Sequence, residues 1–256
     1  MTRRPSRTAL TIVAIVVVLA GAIFFAGYQL LKKTEPFAFG EGCTIDVPGG
    51  TLDLDLEQSQ IASTIAAVAA RRKLPKRALE IAYITAIQES KLTNISFGDR
   101  DSVGIFQQRP SQGWGTVKQI MDPVYSTRRF FAALEKVDGY LDMSLHDAAQ
   151  AVQRSADGGA YADHRRDAEI LATAFRGDQP RAVHCWYPPK ETPPPPQQAA
   201  AAKEFTRARG ASREDWLKAT WFVTHAPVYG LREVVLDGYV WAAATGHDGW
   251  KTVEQG

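Results

Sequence analysis

From Leu56 onward, apolar residues recur at the spacing of an α-helix, and this periodicity constrains the fold more than any other feature. Leu56, Ile61, Ile65 and Val68 share one face of a predicted first helix. Four more segments have helical spacing and breaker residues between them, at residues 75–90, 124–136, 145–155 and 160–175. Because we find no alternating strand pattern among them, residues 56–187 predict a mainly α domain.

A long uncharged run lies near the N-terminus, from Thr8 to Leu31, after Arg3, Arg4 and Arg7. Crossing a bilayer takes roughly 20 apolar residues, whereas the apolar part of a cleaved signal peptide has about 7–15. We therefore expect residues 1–33 to comprise a cytoplasmic N-terminus and an uncleaved transmembrane helix, with membrane contact through residues 8–31. The rest of the chain would be extracytoplasmic, and a cleaved signal peptide is the alternative.

Two segments of biased composition divide the remainder of the chain. Residues 34–55 are rich in Gly, Pro, Asp and Thr and predict a tether, whereas residues 188–202 predict an extended, Pro- and Ala-rich linker. Residues 203–256 then predict a small α+β unit. Its predicted elements are a helix over 213–226 and a hairpin of strands over 231–236 and 239–243.

The chain has two cysteines, Cys43 and Cys185. Outside the cytoplasm an even number of cysteines indicates a disulfide, which here would close a long loop. Attachment of a lipid at Cys43 is disfavoured because the preceding Phe-Gly-Glu-Gly is not a set of small apolar residues. A metal site at His184 and Cys185 is disfavoured because no further ligands accompany them.

Charge and motifs exclude several other classes of function. The net charge of +2 is too small for a nucleic-acid-binding surface, and the cluster at residues 71–73 is typical of a solvated helix face. The histidines show no metal-ligand spacing, and the chain has no nucleophile turn, phosphate loop or dinucleotide fingerprint. We therefore expect neither a metal nor a cofactor, and no nucleic-acid partner.

Glu89 ends the apolar segment 75–90, and a loop of small and polar residues follows it to residue 116. A carboxyl backed by apolar residues is partly desolvated, which raises its pKa and keeps it protonated nearer to neutral pH. Such an acid can protonate the leaving oxygen when a glycosidic bond breaks. Taken alone, Glu89 could equally be an exposed residue at a helix end.

The residues that follow resemble a known family. Glu89-Ser90, Asn94 and Gly104-Ile105-Phe106-Gln107 resemble the motifs of the lysozyme-like superfamily, in particular the lytic transglycosylases. The intervening Gly98-Asp99-Arg100 is similar to a motif of goose-type lysozymes. The resemblance covers roughly residues 56–176 and implies a lysozyme-like α fold without a cofactor.

The resemblance also implies roles for single residues. Glu89 would be the general acid and later the base, and Asp99 would hold a water. Ser90 would orient a sugar or carboxyl, and Gly104 would let the substrate approach the backbone. Asp101 is either a reserve carboxylate or a turn residue. The other residues implied in the substrate groove are Asn94, Phe106, Gln107, Gln108 and Tyr161. Tyr161 is included because residues 148–153 lack the tyrosine of the family's Ala-Tyr-Asn motif, and its hydroxyl could replace the missing one.

The expected function is cleavage of peptidoglycan glycan strands at the β-1,4 bond between N-acetylmuramic acid and N-acetylglucosamine, by a membrane-anchored enzyme. Gln108-Arg109-Pro110 replaces a segment in which some goose-type enzymes carry a second aspartate. A lytic transglycosylase is therefore favoured over a hydrolase, because it needs only one essential acid. The alternatives are a glycan-binding protein without turnover, and an envelope-assembly subunit with a protein partner.

Overall fold

The helices begin where the sequence supplies capping groups. In this computed structural model, which describes residues 40–153, 164–188, 195–212 and 215–253 together with Gly21 and Phe25, helix α1 spans Leu56–Arg71. The Asp55 carboxylate accepts a hydrogen bond from the Gln58 backbone N–H, and the Gln58 side chain accepts one from the Asp55 N–H. This capping box satisfies two N–H groups that the first turn leaves unpaired.

Helix α2 spans Lys76–Ser90 and is the central helix of the core. Tyr83 is fully buried in its middle, and its hydroxyl donates a hydrogen bond of 2.8 Å to the carbonyl oxygen of Ala62 in α1. The helix ends at Lys91, whose backbone is left-handed.

The remaining helices of the described residues follow in chain order. They are α3 (Val117–Ile120), α4 (Pro123–Leu134), α5 (Leu145–Gln153), α6 (Arg165–Phe175), α7 (Gln198–Arg209) and α8 (Trp216–Tyr229). The predicted helices over 75–90 and 124–136 are confirmed to within two residues at each end, and those over 145–155 and 160–175 over their described parts. Residues 154–163 lie outside the described residues.

A three-stranded antiparallel sheet has two strands before α1 and one strand between α6 and α7, which corrects the prediction that residues 34–55 are a tether and that residues 56–187 carry no strand. Strands β1 (Gly42–Val47) and β2 (Gly50–Leu54) form a hairpin, and β3 (Val183–Trp186) pairs with the other edge of β1. The sequence signal was the alternation of Cys43, Ile45 and Val47, all of which are buried.

The disulfide between Cys43 and Cys185 is confirmed. The two cysteines lie directly opposite each other in the register of β1 and β3, and both are fully buried. The bond therefore joins the first strand of the described chain to a strand 142 residues later.

The C-terminal segment is not the separate unit that its composition predicted. The hairpin of β4 (Glu233–Leu236) and β5 (Tyr239–Ala242) is confirmed, and β6 (Lys251–Thr252) adds a third strand. Helix α8 packs against α1, with the Ser63 and Thr224 hydroxyls 2.9 Å apart. The Trp241 indole N–H donates a 3.0 Å hydrogen bond to the carbonyl oxygen of Cys185. One hydrophobic core therefore includes both segments.

The segment 188–202 is not the continuous extended linker that was predicted, because α7 begins at Gln198 inside it. Ala201 and Phe205 of this helix are buried in the common core. Residues 189–194 lie outside the described residues.

The expectation of a single-pass membrane protein with an extracytoplasmic C-terminal domain is corrected by the structure. Among the residues that it describes, no helix combines the length and the apolar character needed to cross a bilayer. Residues 8–31 themselves, apart from Gly21 and Phe25, lie outside the described residues.

We predict that replacing both Cys43 and Cys185 by serine lowers the free energy of unfolding by about 5 kcal/mol, because the cross-link restricts a long loop of the unfolded chain. Urea denaturation of the variant and of the oxidised wild type measures the difference. Reducing the wild type with dithiothreitol should give the same loss, whereas unchanged stability in both comparisons would contradict the prediction.

Candidate functional site

Glu89 is the penultimate residue of α2 and is half-buried. The residues before it on the helix, such as Ala86 and Ile87, belong to the hydrophobic core. Glu89 therefore extends from a helix turn that packs into the apolar core, as the proton-donor hypothesis expects.

Ser90 connects the end of α2 to the loop that follows. Its buried hydroxyl lies 2.7 Å from the carbonyl oxygen of Ile105 and 3.1 Å from that of Ala86. It also accepts a hydrogen bond from the Thr93 N–H at 3.3 Å. The sugar-orienting role implied for Ser90 therefore competes with bonds inside the chain, which fix the Gly-Ile-Phe-Gln turn beside Glu89.

Gly104 allows this turn to pack closely against the end of α3. Its φ of +80° is left-handed, and a Cβ there would lie 3.0 Å from the carbonyl oxygen of Ile120. The Gly104 N–H donates a 2.7 Å hydrogen bond to the carbonyl oxygen of Ile95. The close approach that the resemblance assigned to substrate is thus made by the chain's own backbone.

Phe106 and Gln108 were predicted in the substrate groove but lie in the core. Phe106 is fully buried and stacks on Phe130, with ring centroids 4.4 Å apart. Gln108 is 1% exposed, and its amide N–H donates a 3.1 Å hydrogen bond to the carbonyl oxygen of Ser126. These two side chains therefore pack inside the domain and hold the loop against it.

The amide groups of Asn94 and Gln107 also bind the loop itself. Asn94 donates a 2.8 Å hydrogen bond to the carbonyl oxygen of Met121. The Gln107 amide nitrogen lies 3.3 Å from the carbonyl oxygen of Phe97, and its oxygen occupies the space where a side chain at Gly98 would be. Gln107 is half-buried, so part of its side chain remains at the surface.

The two aspartates of the loop have different surroundings. The Asp99 side chain is 88% exposed, with the guanidinium Nε of Arg100 at 3.7 Å. Asp101 accepts hydrogen bonds from Arg109 Nε at 2.8 Å and from the backbone N–H and hydroxyl of Ser111 at 2.7 and 2.9 Å. These bonds, the one from Arg109 first, hold the pKa of Asp101 well below its ordinary value.

Gln153 is a positioning residue that the sequence reasoning missed. Its amide N–H donates a 2.6 Å hydrogen bond to the carbonyl oxygen of Phe106, so α5 also holds the Gly-Ile-Phe-Gln turn. Its place at the end of the altered Ala-Tyr-Asn segment was the available signal. Tyr161, predicted to replace the missing aromatic hydroxyl, lies outside the described residues.

The site consists of the Glu89 carboxyl group beside the Gly-Ile-Phe-Gln turn, which hydrogen bonds hold in place. Within the described part of the chain, no three His, Cys, Asp or Glu side chains form a group able to hold a metal ion. The arrangement suits acid–base chemistry, because Glu89 is half-buried beside Ser90 while Asp99 is exposed to solvent.

Comparison with known proteins gives no further assignment. No model of a known protein family matches the chain, and a search of the curated proteins returns no significant match. The lysozyme-like resemblance therefore rests on the motif residues and remains a prediction.

We predict that Gly104→Ala lowers the free energy of unfolding by about 2–4 kcal/mol, because it combines a left-handed backbone with a contact to the Ile120 carbonyl. Gly139→Ala is the matched control, since Gly139 has a φ of +70° and open space around it. It should cost about 1 kcal/mol. Equal urea midpoints for the two variants would show that the close contact is unimportant.

We predict that Asp101→Asn increases amide hydrogen exchange across residues 101–111, whereas Asp99→Asn leaves that exchange unchanged. The reason is that Asp101 alone of the pair binds Arg109 and Ser111. Because the folded-state pKa of Asp101 is lowered, its stabilisation is fully present above the unfolded value of about 3.9 and is lost as the pH falls below it. Exchange measured at neutral pH that is equal in both variants would contradict this.

Proposed function

We propose that this protein cleaves the glycan strands of peptidoglycan at the β-1,4 bond between N-acetylmuramic acid and N-acetylglucosamine. The observation that carries the proposal is the half-buried Glu89 at the end of α2, next to a turn that Ser90 and Gln153 hold in place. The lysozyme-like motifs around it supply the substrate class.

Glu89 acts first as an acid. Its protonated form donates a proton to the oxygen leaving the muramic acid carbon. Because the turn beside it is hydrogen-bonded to α2 and α5, little reorganisation is needed when charge develops there.

The reaction is completed by intramolecular attack rather than by water. The Glu89 carboxylate takes the proton of the substrate's own 6-hydroxyl, whose oxygen forms a bond to the muramic acid carbon and gives a 1,6-anhydro sugar. Asp101 is engaged by Arg109 and Ser111, so it is poorly placed to serve as a second base. We therefore propose a lytic transglycosylase in preference to a hydrolase.

Glu89→Gln is expected to reduce the release of soluble fragments from purified sacculi at least about a hundredfold, because general acid–base groups contribute on that scale. Glu80→Gln is the matched control on the same helix, since Glu80 pairs with Lys76 and Arg77 at 3.5 Å. It should retain turnover. Both variants should keep the far-ultraviolet circular dichroism of the wild type.

Mass spectrometry of the released fragments tests the reaction type. Anhydro-muramic ends support a transglycosylase, whereas reducing ends indicate a hydrolase with Asp99 as the water-holding candidate. Turnover by Glu89→Gln at the wild-type rate would refute the mechanism. If the wild type releases nothing, the alternative of a glycan-binding protein replaces the enzyme.

A further inference from the structure

A cleft of about 320 Å³ lies among the loop residues Gln112–Trp114, α4 with the residues that follow it, and the end of α5. Its surface includes the half-buried ring of Trp114 and the apolar side chains of Val137 and Val152. The Tyr125 hydroxyl donates a 3.2 Å hydrogen bond to the carbonyl oxygen of Trp114 and so helps to position this residue.

The cleft carries positive charge. Arg129 and Lys136 line it and are exposed, and none of the described residues that line it is acidic. Arg129 donates one hydrogen bond of 2.9 Å to the carbonyl oxygen of Gly113, which orients the guanidinium and leaves its other donors for a ligand. Lys136 makes no ion pair with the described part of the chain. The neighbouring Glu135 pairs with Arg72.

This charged cleft, which we define by Trp114, Arg129 and Lys136, is connected to the turn beside Glu89 through α5. Val152 lines the cleft, and the next residue, Gln153, binds the carbonyl oxygen of Phe106. The adjacent carbonyl of Ile105 is the one that Ser90 binds. Consecutive residues of α5 therefore contact the cleft and the turn.

The ligand that fits is a short acidic branch with aliphatic parts. Two cations attract carboxylates, and Arg offers a planar set of donors that matches them. The Trp114 ring and the valines provide an apolar surface for the intervening carbons.

We propose that this charged cleft binds the carboxylates of the peptide stems that branch from the glycan. The inference rests on the proposed function, because it takes peptidoglycan as the polymer. It adds a specificity determinant away from the reacting bond.

The test measures binding of the full chain carrying Glu89→Gln, so that no substrate is consumed. The probes are sacculi freed of attached phosphate polymers, either untreated or with their stem carboxylates converted to methylamides by carbodiimide. Cosedimentation is compared for chains with an intact cleft, with Arg129→Gln and Lys136→Gln together, and with Lys73→Gln and Lys118→Gln together. The last pair removes the same charge at exposed positions outside the cleft lining.

We expect the cleft variant to bind untreated sacculi at least about tenfold more weakly than the intact cleft, since hydrogen bonds to charged groups contribute on that scale. On amidated sacculi the two should bind alike, and the control pair should behave like the intact cleft throughout. Equal binding of the intact cleft to both kinds of sacculi, or an equal loss in the control pair, would overturn the inference. Fragment release is measured separately, with Glu89 present. An inactive wild type would refute the proposed enzyme, whereas the cosedimentation experiment would still show whether the cleft binds stem carboxylates.

Discussion

The position of Glu89 depends on the burial of α2. Ala78, Ala82 and Ala86 recur four residues apart on this helix and are fully buried. Their small side chains let neighbouring helices approach closely, and α2 packs against α1, α4, α5 and α6. A helix held on so many sides has little freedom to move, so the core fixes the position of the Glu89 backbone in its last turn.

The motif residues that suggested substrate contacts mostly hold the loop together. Gly98 is small because the Gln107 side chain occupies the space beside it, and Gly104 is small because Ile120 does the same. Ser90 joins this loop to α2. The Gly-Asp-Arg and Gly-Ile-Phe-Gln motifs therefore have a structural reason to occur together. The proposed chemistry depends instead on Glu89 and on the polar groups that remain at the surface.

Much of the helical architecture follows from the sequence, because apolar spacing and capping residues report local structure. Ser144, for example, precedes α5 and its hydroxyl accepts a hydrogen bond from the Asp147 N–H, which is the bond of a helix cap. The single core was harder to predict, because it depends on which faces meet. Trp221 is almost fully buried in α8, a helix with ten buried residues on all its sides. Such a helix needs partners on every side, which a small separate unit cannot supply.

The candidate site was predictable in its location and not in its detail. The order of Glu89, Gly-Asp-Arg and Gly-Ile-Phe-Gln gave the loop, whereas the hydrogen bond from Gln153 depends on the packing of α5 against α2. The sequence shows that a side chain is polar but not whether it faces a ligand or bonds to the chain's own carbonyl groups. The packing determines which of these occurs, as the bond from Gln108 to the carbonyl oxygen of Ser126 shows.

The carboxylates of the loop also bear on the choice between water and an intramolecular nucleophile. A general base works best when its pKa lies near the working pH. Asp101 departs from that condition, because Arg109 and Ser111 stabilise its charged form and hold its pKa low. Asp99 is mostly exposed to solvent. Glu89 is half-buried instead, and the proposed mechanism assigns both proton transfers to it: it gives a proton to the leaving oxygen and then takes one from the substrate's 6-hydroxyl.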